Sequence, residues 1–184
     1  MNIQALSLMD NYFELYQLPL RFHPDAATIK AKFYELSRLY HPDRFSQAPQ
    51  EERDESLKMA ALNNKAYKTL GNPDATMSYI LKLHGLLEEE EKYSLAPAFL
   101  MEMMDLNELL SEYEAEPEND RYKTQVTGTL KSQLEQWEQE VLKLTDKFDA
   151  GEQNKELLLQ IKDYYFRKKY LLRIQERIDR FAAR

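Results

Sequence analysis

The sequence predicts an all-α protein, and three observations support this fold class. No stretch alternates apolar and polar residues over six or more positions, and no Asn-Gly or Asp-Gly hairpin turn is present, so strand signals are nearly absent. Only four of the 184 residues are Gly, which argues against glycine-rich nucleotide-binding folds and turn-rich β-sandwiches. Apolar residues instead recur at intervals of three and four, the period of an amphipathic helix.

The first part of the chain is predicted to form four helices. Asp25 is expected to cap the second helix, whose apolar stripe comprises Ile29, Phe33, Leu36 and Tyr40. Pro42 ends this helix, because a proline pushes the preceding residue out of the α region. The four helices are expected over about residues 11–16, 26–40, 51–70 and 74–84.

The second part is predicted to be an antiparallel bundle of three amphipathic helices, over about residues 97–114, 120–149 and 153–182. The core stripe of the first of them comprises Phe99, Met103, Leu106, Leu110 and Tyr113. The run of four Glu residues at 88–91 is typical of a linker. We therefore expect one domain over residues 1–84 with an N-terminal tail, a linker over 85–96 and a second domain over 97–184.

Composition excludes several kinds of site. The chain has no Cys, so disulfides, thiolate metal sites and cysteine nucleophiles are excluded, and three His residues are too few for most histidine-built metal centres. No apolar run is long enough to cross a bilayer, and the first residues carry no basic or Arg-rich leader, so a soluble protein of the bacterial cytoplasm is expected. The net charge of −7 is concentrated in residues 76–120, which hold 2 basic and 12 acidic side chains.

The most unusual local feature is a repeated tripeptide. His-Pro-Asp occurs at residues 23–25, before the second predicted helix, and again at residues 41–43, directly after it. Pro and Asp are common at helix starts, so the first copy is interpreted as a structural start signal. In the second copy Pro42 would hold His41 and Asp43 exposed at a rigid corner between two helices.

The surroundings of the second copy resemble a J-domain, the module by which J-proteins stimulate the ATPase of DnaK-type chaperones. The residues that carry the resemblance are Tyr12-Phe13-Glu14-Leu15 in the first helix, Tyr40-His41-Pro42-Asp43-Arg44-Phe45 in the loop, and Leu62-Asn63-Asn64-Lys65-Ala66-Tyr67-Lys68-Thr69-Leu70 in the next helix. In that family the tripeptide lies between the second and third helices. The resemblance therefore implies that residues 41–43 are functional and residues 23–25 are silent.

Past this domain the chain resembles the HscB type of J-protein, through Tyr79-Ile80-Leu81-Lys82-Leu83-His84-Gly85 and Ala98-Phe99-Leu100-Met101-Glu102-Met103-Met104-Asp105-Leu106. This resemblance implies an L-shaped pair of a J-domain and a three-helix bundle. It also implies a co-chaperone, with no cofactor and no catalysis of its own, that delivers an IscU-type iron–sulfur scaffold protein to an HscA-type or DnaK-type ATPase. The family resemblance also leads to the expectation of an Arg shortly before Tyr79-Ile80-Leu81. That Arg is missing here, and Ala75, Thr76 and Met77 stand in its place.

The resemblance implies two sets of site residues. The chaperone-facing set is His41, Pro42 and Asp43 with a basic surface suited to an acidic ATPase domain, formed by Lys30, Lys32, Arg38 and Arg44. The scaffold-facing set is Leu100, Met101, Met104, Asp105, Glu108, Glu112 and an aromatic residue, Phe166, on the last helix. From the residues alone, the Met side chains could equally belong to the core and the acids to a solvated helix face.

Other functions are less well supported. A nucleic-acid module is suggested by Arg167-Lys168-Lys169 and later basic residues up to Arg184, but interspersed acids and an acidic chain argue against it. A coiled coil is disfavoured by short helices separated by turns, and a hydrolase by the lack of any motif that sets two carboxylates opposite a pocket. A general J-protein with a different client remains the closest alternative. Neither nucleic acid nor a membrane is expected as a partner.

Overall fold

The structure, a computed structural model, describes residues 11–182. The predicted N-terminal tail before residue 11 lies outside the described residues, as does Arg184. The described part is all-helical, which confirms the predicted fold class. The chain divides into two compact units, Met1–Gly85 and Leu86–Arg184. Within the described residues, no helix is both long and apolar enough to span a membrane.

Residues 11–85 follow the predicted order of four α-helices. Three of them are capped by a side-chain oxygen that accepts a backbone N–H of the first turn. The capping residues are Asn11, Asp25 and Asn72. A short 3₁₀ helix follows the second α-helix and was not predicted from the sequence. The helices are α1 (Tyr12–Leu15), α2 (Ala26–Leu39), the 3₁₀ helix (Pro42–Phe45), α3 (Gln50–Leu70) and α4 (Pro73–Leu83).

A buried amide joins α1, α2 and α3. Asn63 on α3 is 1% exposed, and its Nδ2 donates to the carbonyl oxygen of Phe33 and to Oγ of Ser37, both at 3.0 Å. Its Oδ1 accepts from the hydroxyl of Tyr16 at 2.8 Å. Burial raises the pKa of the Tyr16 hydroxyl above its ordinary value, so this donor stays protonated. One polar side chain on α3 therefore bonds both to α2 and to Tyr16, the residue that directly follows α1.

Residues 86–182 contain four helices where three were predicted. These are α5 (Pro97–Glu102), α6 (Met104–Ala115), α7 (Asp120–Asp149) and α8 (Lys155–Ala182). The prediction of one helix over 97–114 is wrong, because the chain leaves α geometry at Met103, with ψ at 0°. The Met103 carbonyl accepts both the backbone N–H of Asn107 at 3.0 Å and the Asn107 side chain at 2.7 Å.

The predicted core stripe is nevertheless continuous across this break. Phe99, Met103, Leu106, Leu110 and Tyr113 are all buried, at 6% exposure or less. Trp137 on α7 donates its indole N–H to the carbonyl oxygen of Tyr164 on α8 at 2.7 Å, which ties the two long helices together. Lys168, which interrupts the apolar stripe of α8, lies over the ring of Trp137 at 4.5 Å.

The segment 86–96 contains no helix but is not a free tether. It belongs to the second unit, and its Leu87 is buried. Glu91 pairs with Lys162 of α8, and the ring of Tyr93 stacks on that of Phe166. The Glu-rich pattern of the segment predicts a linker and does not indicate this docking on α8.

Candidate functional site

The second His-Pro-Asp copy forms an exposed corner. Leu39 is the last residue of α2, and Pro42 occupies the first position of the 3₁₀ helix, where its missing N–H costs nothing. The Arg44 N–H closes the turn by donating to the carbonyl oxygen of His41 at 3.0 Å. The 3₁₀ helix also packs against α3, so the corner is supported from below.

The two polar side chains of the corner point away from the core. The Asp43 side chain is 91% exposed and that of His41 is 57% exposed. Nδ1 of His41 lies 3.4 Å from the Asp43 amide nitrogen and 3.6 Å from Oδ2 of Asp43, so the imidazole stays beside the carboxylate. A carboxylate presented in this way can accept a charge-assisted bond from a partner's arginine.

The basic residues near the corner lie in three separate places. Arg44 is adjacent to it, and its guanidinium donates to the Arg38 carbonyl oxygen at 3.0 Å, while Arg38 Nε donates to the carbonyl oxygen of Tyr34 at 3.3 Å. Lys30 is exposed on α2, about 12 Å along the helix axis from Arg38. Lys32 lies about 200° around α2 from Lys30 and pairs with Glu35 at 3.1 Å. The four cations therefore do not form one continuous face.

The first His-Pro-Asp copy lies directly before α2, where the sequence predicts a helix start. Asp25 caps α2, and its Oδ2 accepts from the Thr28 N–H at 2.7 Å. The hydrogen bond from the Thr28 side chain is the main reason why the pKa of the Asp25 carboxyl lies below its ordinary value. This carboxylate is thus engaged by its own helix, whereas that of Asp43 is open to solvent.

A second candidate surface lies on α5 and α6. Leu100, Met101 and Met104 are 42%, 69% and 64% exposed, and the two Met values are the highest among the large apolar side chains of residues 11–182. Three exposed acids accompany them. We call this surface the apolar–acidic patch, which comprises Leu100, Met101, Met104, Asp105, Glu108 and Glu112. Of the two interpretations of the Met residues, exposure excludes a core role for Met101 and Met104.

The structure corrects the expected place of Phe166. Its side chain is only 6% exposed, because the Tyr93 ring covers it with centroids 4.3 Å apart and planes within 4° of parallel. An aromatic residue of α8 that contacts the junction of α5 and α6 is Tyr170. Its hydroxyl accepts from Asn107 at 2.7 Å, and its ring meets that of Phe99 edge-on at 5.7 Å. Sequence reasoning missed Tyr170, although its spacing of four from Phe166 could have suggested it.

A further concave surface is a groove of about 700 Å³ between α7 and α8, lined by both apolar and charged side chains. Two of its three carboxylates, those of Glu140 and Asp163, bind Tyr164 and Arg167 respectively. Among residues 11–182, no group of three or more His, Cys, Asp or Glu side chains is placed to hold a metal ion.

Comparisons with known proteins agree on one family. Residues 95–179 match the model of the "HSCB C-terminal oligomerisation domain". The human "Iron-sulfur cluster co-chaperone protein HscB" is 42% identical over 115 residues, which cover 62% of this chain. The chain spans about half of that human protein, since the match covers 49% of it. The "Co-chaperone protein HscB homolog" of Photobacterium profundum is 37% identical over 134 residues, 70% of this chain and 78% of that protein.

Solved structures extend the likeness over nearly the whole chain. The crystal structure of the human co-chaperone protein HscB matches with a TM-score of 0.70 and 32% identity, covering 92% of this chain and 80% of that one. The chaperone HscB from Vibrio cholerae matches with a TM-score of 0.72 and 27% identity, covering 92% and 96%. These matches favour the HscB type over a general J-protein with a different client.

Proposed function

The chain belongs to the HscB family of co-chaperones, and on that basis we propose that it stimulates the ATPase of an HscA-type or DnaK-type chaperone and delivers an IscU-type scaffold protein to it. Two surfaces of one chain divide this task. The His41-Pro42-Asp43 corner engages the chaperone, and the apolar–acidic patch binds the scaffold. The chain itself breaks no bond in this scheme, because hydrolysis takes place in the partner ATPase.

The single observation that carries the proposal is the exposed carboxylate of Asp43 at a rigid proline corner. A rigid corner pays little conformational entropy when it docks, because Pro42 and the bond from the Arg44 N–H to the His41 carbonyl already define its backbone. Arg38 and Arg44 add positive charge directly beside it, which favours approach to an acidic surface. Lys30 adds long-range attraction from further along α2.

The scaffold assignment rests on exposure and composition. Leu100, Met101 and Met104 expose flexible apolar side chains that adapt to a partner's shape. Asp105, Glu108 and Glu112 provide negative charge that selects a partner with basic groups facing it. Tyr170 borders the patch through Asn107, whereas the buried Phe166 is left out of the contact surface.

The chaperone assignment is tested by the rate of ATP hydrolysis by the purified chaperone with and without this protein. Asp43→Asn keeps the size of the side chain but removes its charge, and we expect it to abolish stimulation while the circular dichroism spectrum stays unchanged. His41→Gln should behave alike. Asp25→Asn is the matched control, because it makes the same change in the other His-Pro-Asp copy, and it should stimulate like the wild type. Equal stimulation by the Asp43 and Asp25 variants would refute the assignment.

The scaffold assignment is tested by calorimetric titration of an IscU-type scaffold protein into the full chain. Leu100→Ala/Met104→Ala removes two exposed apolar contacts, each worth about 1–2 kcal/mol if buried by the partner, so the dissociation constant should rise at least ten-fold. Leu142→Ala/Leu172→Ala is the control, since these leucines are 44% and 39% exposed elsewhere in the same unit. An equal affinity for both double variants would contradict the assignment.

A further inference from the structure

A contact network links segment 86–96 to α8. The Tyr93 ring lies flat on Phe166, and the Tyr93 hydroxyl donates to Oδ1 of Asp163 at 3.0 Å. Glu91 accepts from the ammonium group of Lys162, which also lies 5.6 Å from the centre of the Tyr93 ring. The Glu91 side chain is 22% exposed and that of Lys162 14%, so the pair is partly shielded from salt.

The same network reaches α5 through Asp163. Oδ2 of Asp163 accepts from Nε of Arg167 at 2.6 Å, while Oδ1 accepts from Tyr93. The Arg167 guanidinium in turn lies over the ring of Phe99, 5.0 Å from its centre. Phe99 is the buried residue of α5, and Leu100 and Met101 follow it directly. A continuous path therefore runs from Tyr93 through Asp163 and Arg167 to Phe99.

Helix α5 depends on such tethers because it is weak on its own. It has six residues, and its N-cap, Ala96, provides no side-chain acceptor for the first free N–H groups. Helices this short do not form in isolation, because the cost of nucleation is not recovered within two turns. The exposed side chains of Leu100 and Met101 keep a defined position only while both ends of α5 are held.

We propose that Tyr93 and Asp163 are positioning residues for partner docking, which hold α5 in place so that Leu100 and Met101 are presented in a binding-competent arrangement. This inference rests on the proposed scaffold binding by the apolar–acidic patch. Neither residue needs to touch the partner. Loss of the Tyr93 tether lowers the fraction of molecules in which α5 is docked. The apparent affinity for the scaffold equals the intrinsic affinity multiplied by this fraction, so it falls in proportion.

The raised pKa of Tyr93 is consistent with this arrangement. Burial first, and the hydrogen bond to Asp163 second, raise the pKa of its hydroxyl from 10.0 to about 12. The donor is therefore protonated throughout the neutral range, and the bond to Asp163 is present whenever the segment is docked.

The test is scaffold titration and amide hydrogen exchange on the full chain with Tyr93→Ala, Tyr93→Phe and Tyr122→Ala. Tyr93→Ala loses a ring stack and a hydrogen bond, which should shift the docking equilibrium of α5 about ten-fold toward the undocked state. Scaffold binding should weaken by up to this factor, and exchange of the α5 amides should speed up. Tyr93→Phe keeps the stack and should recover most of the affinity. Tyr122 lies on the first turn of α7, outside this network, and its replacement should change neither measurement.

A double-mutant cycle separates positioning from direct contact. In a Leu100→Ala/Met101→Ala background, Tyr93→Ala should cost no further affinity, because the side chains that it positions are already gone. An equal loss in both backgrounds would overturn the inference, as would wild-type affinity of Tyr93→Ala. In either case the scaffold assignment stands if Leu100→Ala/Met101→Ala itself weakens binding. If that double variant binds like the wild type, the scaffold assignment and this inference fall together.

Discussion

Replacement of the buried Asn63 tests how α1, α2 and α3 are held together. Asn63→Ala removes three hydrogen bonds, two that its amide donates to Phe33 and Ser37 and one that it accepts from Tyr16. At about 1 kcal/mol each, the free energy of unfolding of the first unit should fall by about 3 kcal/mol, a change of more than 100-fold in the unfolding equilibrium. The Tyr16 hydroxyl keeps the backbone carbonyl of residue 63 as an acceptor at 3.1 Å, which prevents a larger loss.

Native-state hydrogen exchange of the amides of α2 and α3 is the suitable assay, because it measures the stability of the first unit without reference to the second. Asn64→Ala is a matched control, since Asn64 is the next residue on the same helix and is exposed. The control should change the free energy by no more than about 0.5 kcal/mol. A loss for Asn63→Ala that is no larger than that of the control would refute the role given to the buried amide.

Three further predictions concern the cap of α2, the contact between α7 and α8, and the Tyr93 hydroxyl. Asp25→Ala should lower the melting temperature of the first unit at neutral pH. Because the pKa of Asp25 is lowered in the folded state, this difference should vanish as the pH falls through that lowered value. Trp137→Phe should cost the second unit about 1 kcal/mol in chemical denaturation, by loss of the bond to the Tyr164 carbonyl. Ultraviolet titration should find a tyrosine with a pKa of about 12 that is absent from Tyr93→Phe. The stabilising effect of the Tyr93 hydroxyl should be complete below pH 10 and should be lost as the pH rises through 12.

Helix boundaries were predictable where a single residue determines them. Pro42 lacks an N–H and restricts the residue before it, so α2 had to end where it does. The Asp25 cap follows from the same local chemistry. The break at Met103 was not predictable, because no Pro or Gly stands there and the apolar stripe from Phe99 to Tyr113 continues through it. The buried Asn63 was detectable in principle, because with Met59, Ala66 and Leu70 it completes a 4-3-4 stripe on α3.

The candidate surfaces were predictable to different degrees. The exposure of Asp43 follows from its place one residue after a proline at a helix end. The exposure of Met101 and Met104 could not be predicted from spacing alone. It depends on which face of α5 and α6 packs against the rest of the bundle. The burial of Phe166 could not be predicted, because its cover, Tyr93, comes from a segment that has no helical pattern and lies 73 positions earlier in the chain.

The central claim is that one chain carries both surfaces in order to bring scaffold and chaperone together. The most direct measurement is the scaffold-dependent gain in the chaperone's ATPase rate, recorded with an equimolar mixture of Asp43→Asn and Leu100→Ala/Met104→Ala chains. If the protein delivers the scaffold, the corner and the patch must act in the same molecule, and the mixture should show none of the gain that the wild type gives. Restoration of the full gain by the mixture would contradict delivery and would mean that the two surfaces work independently.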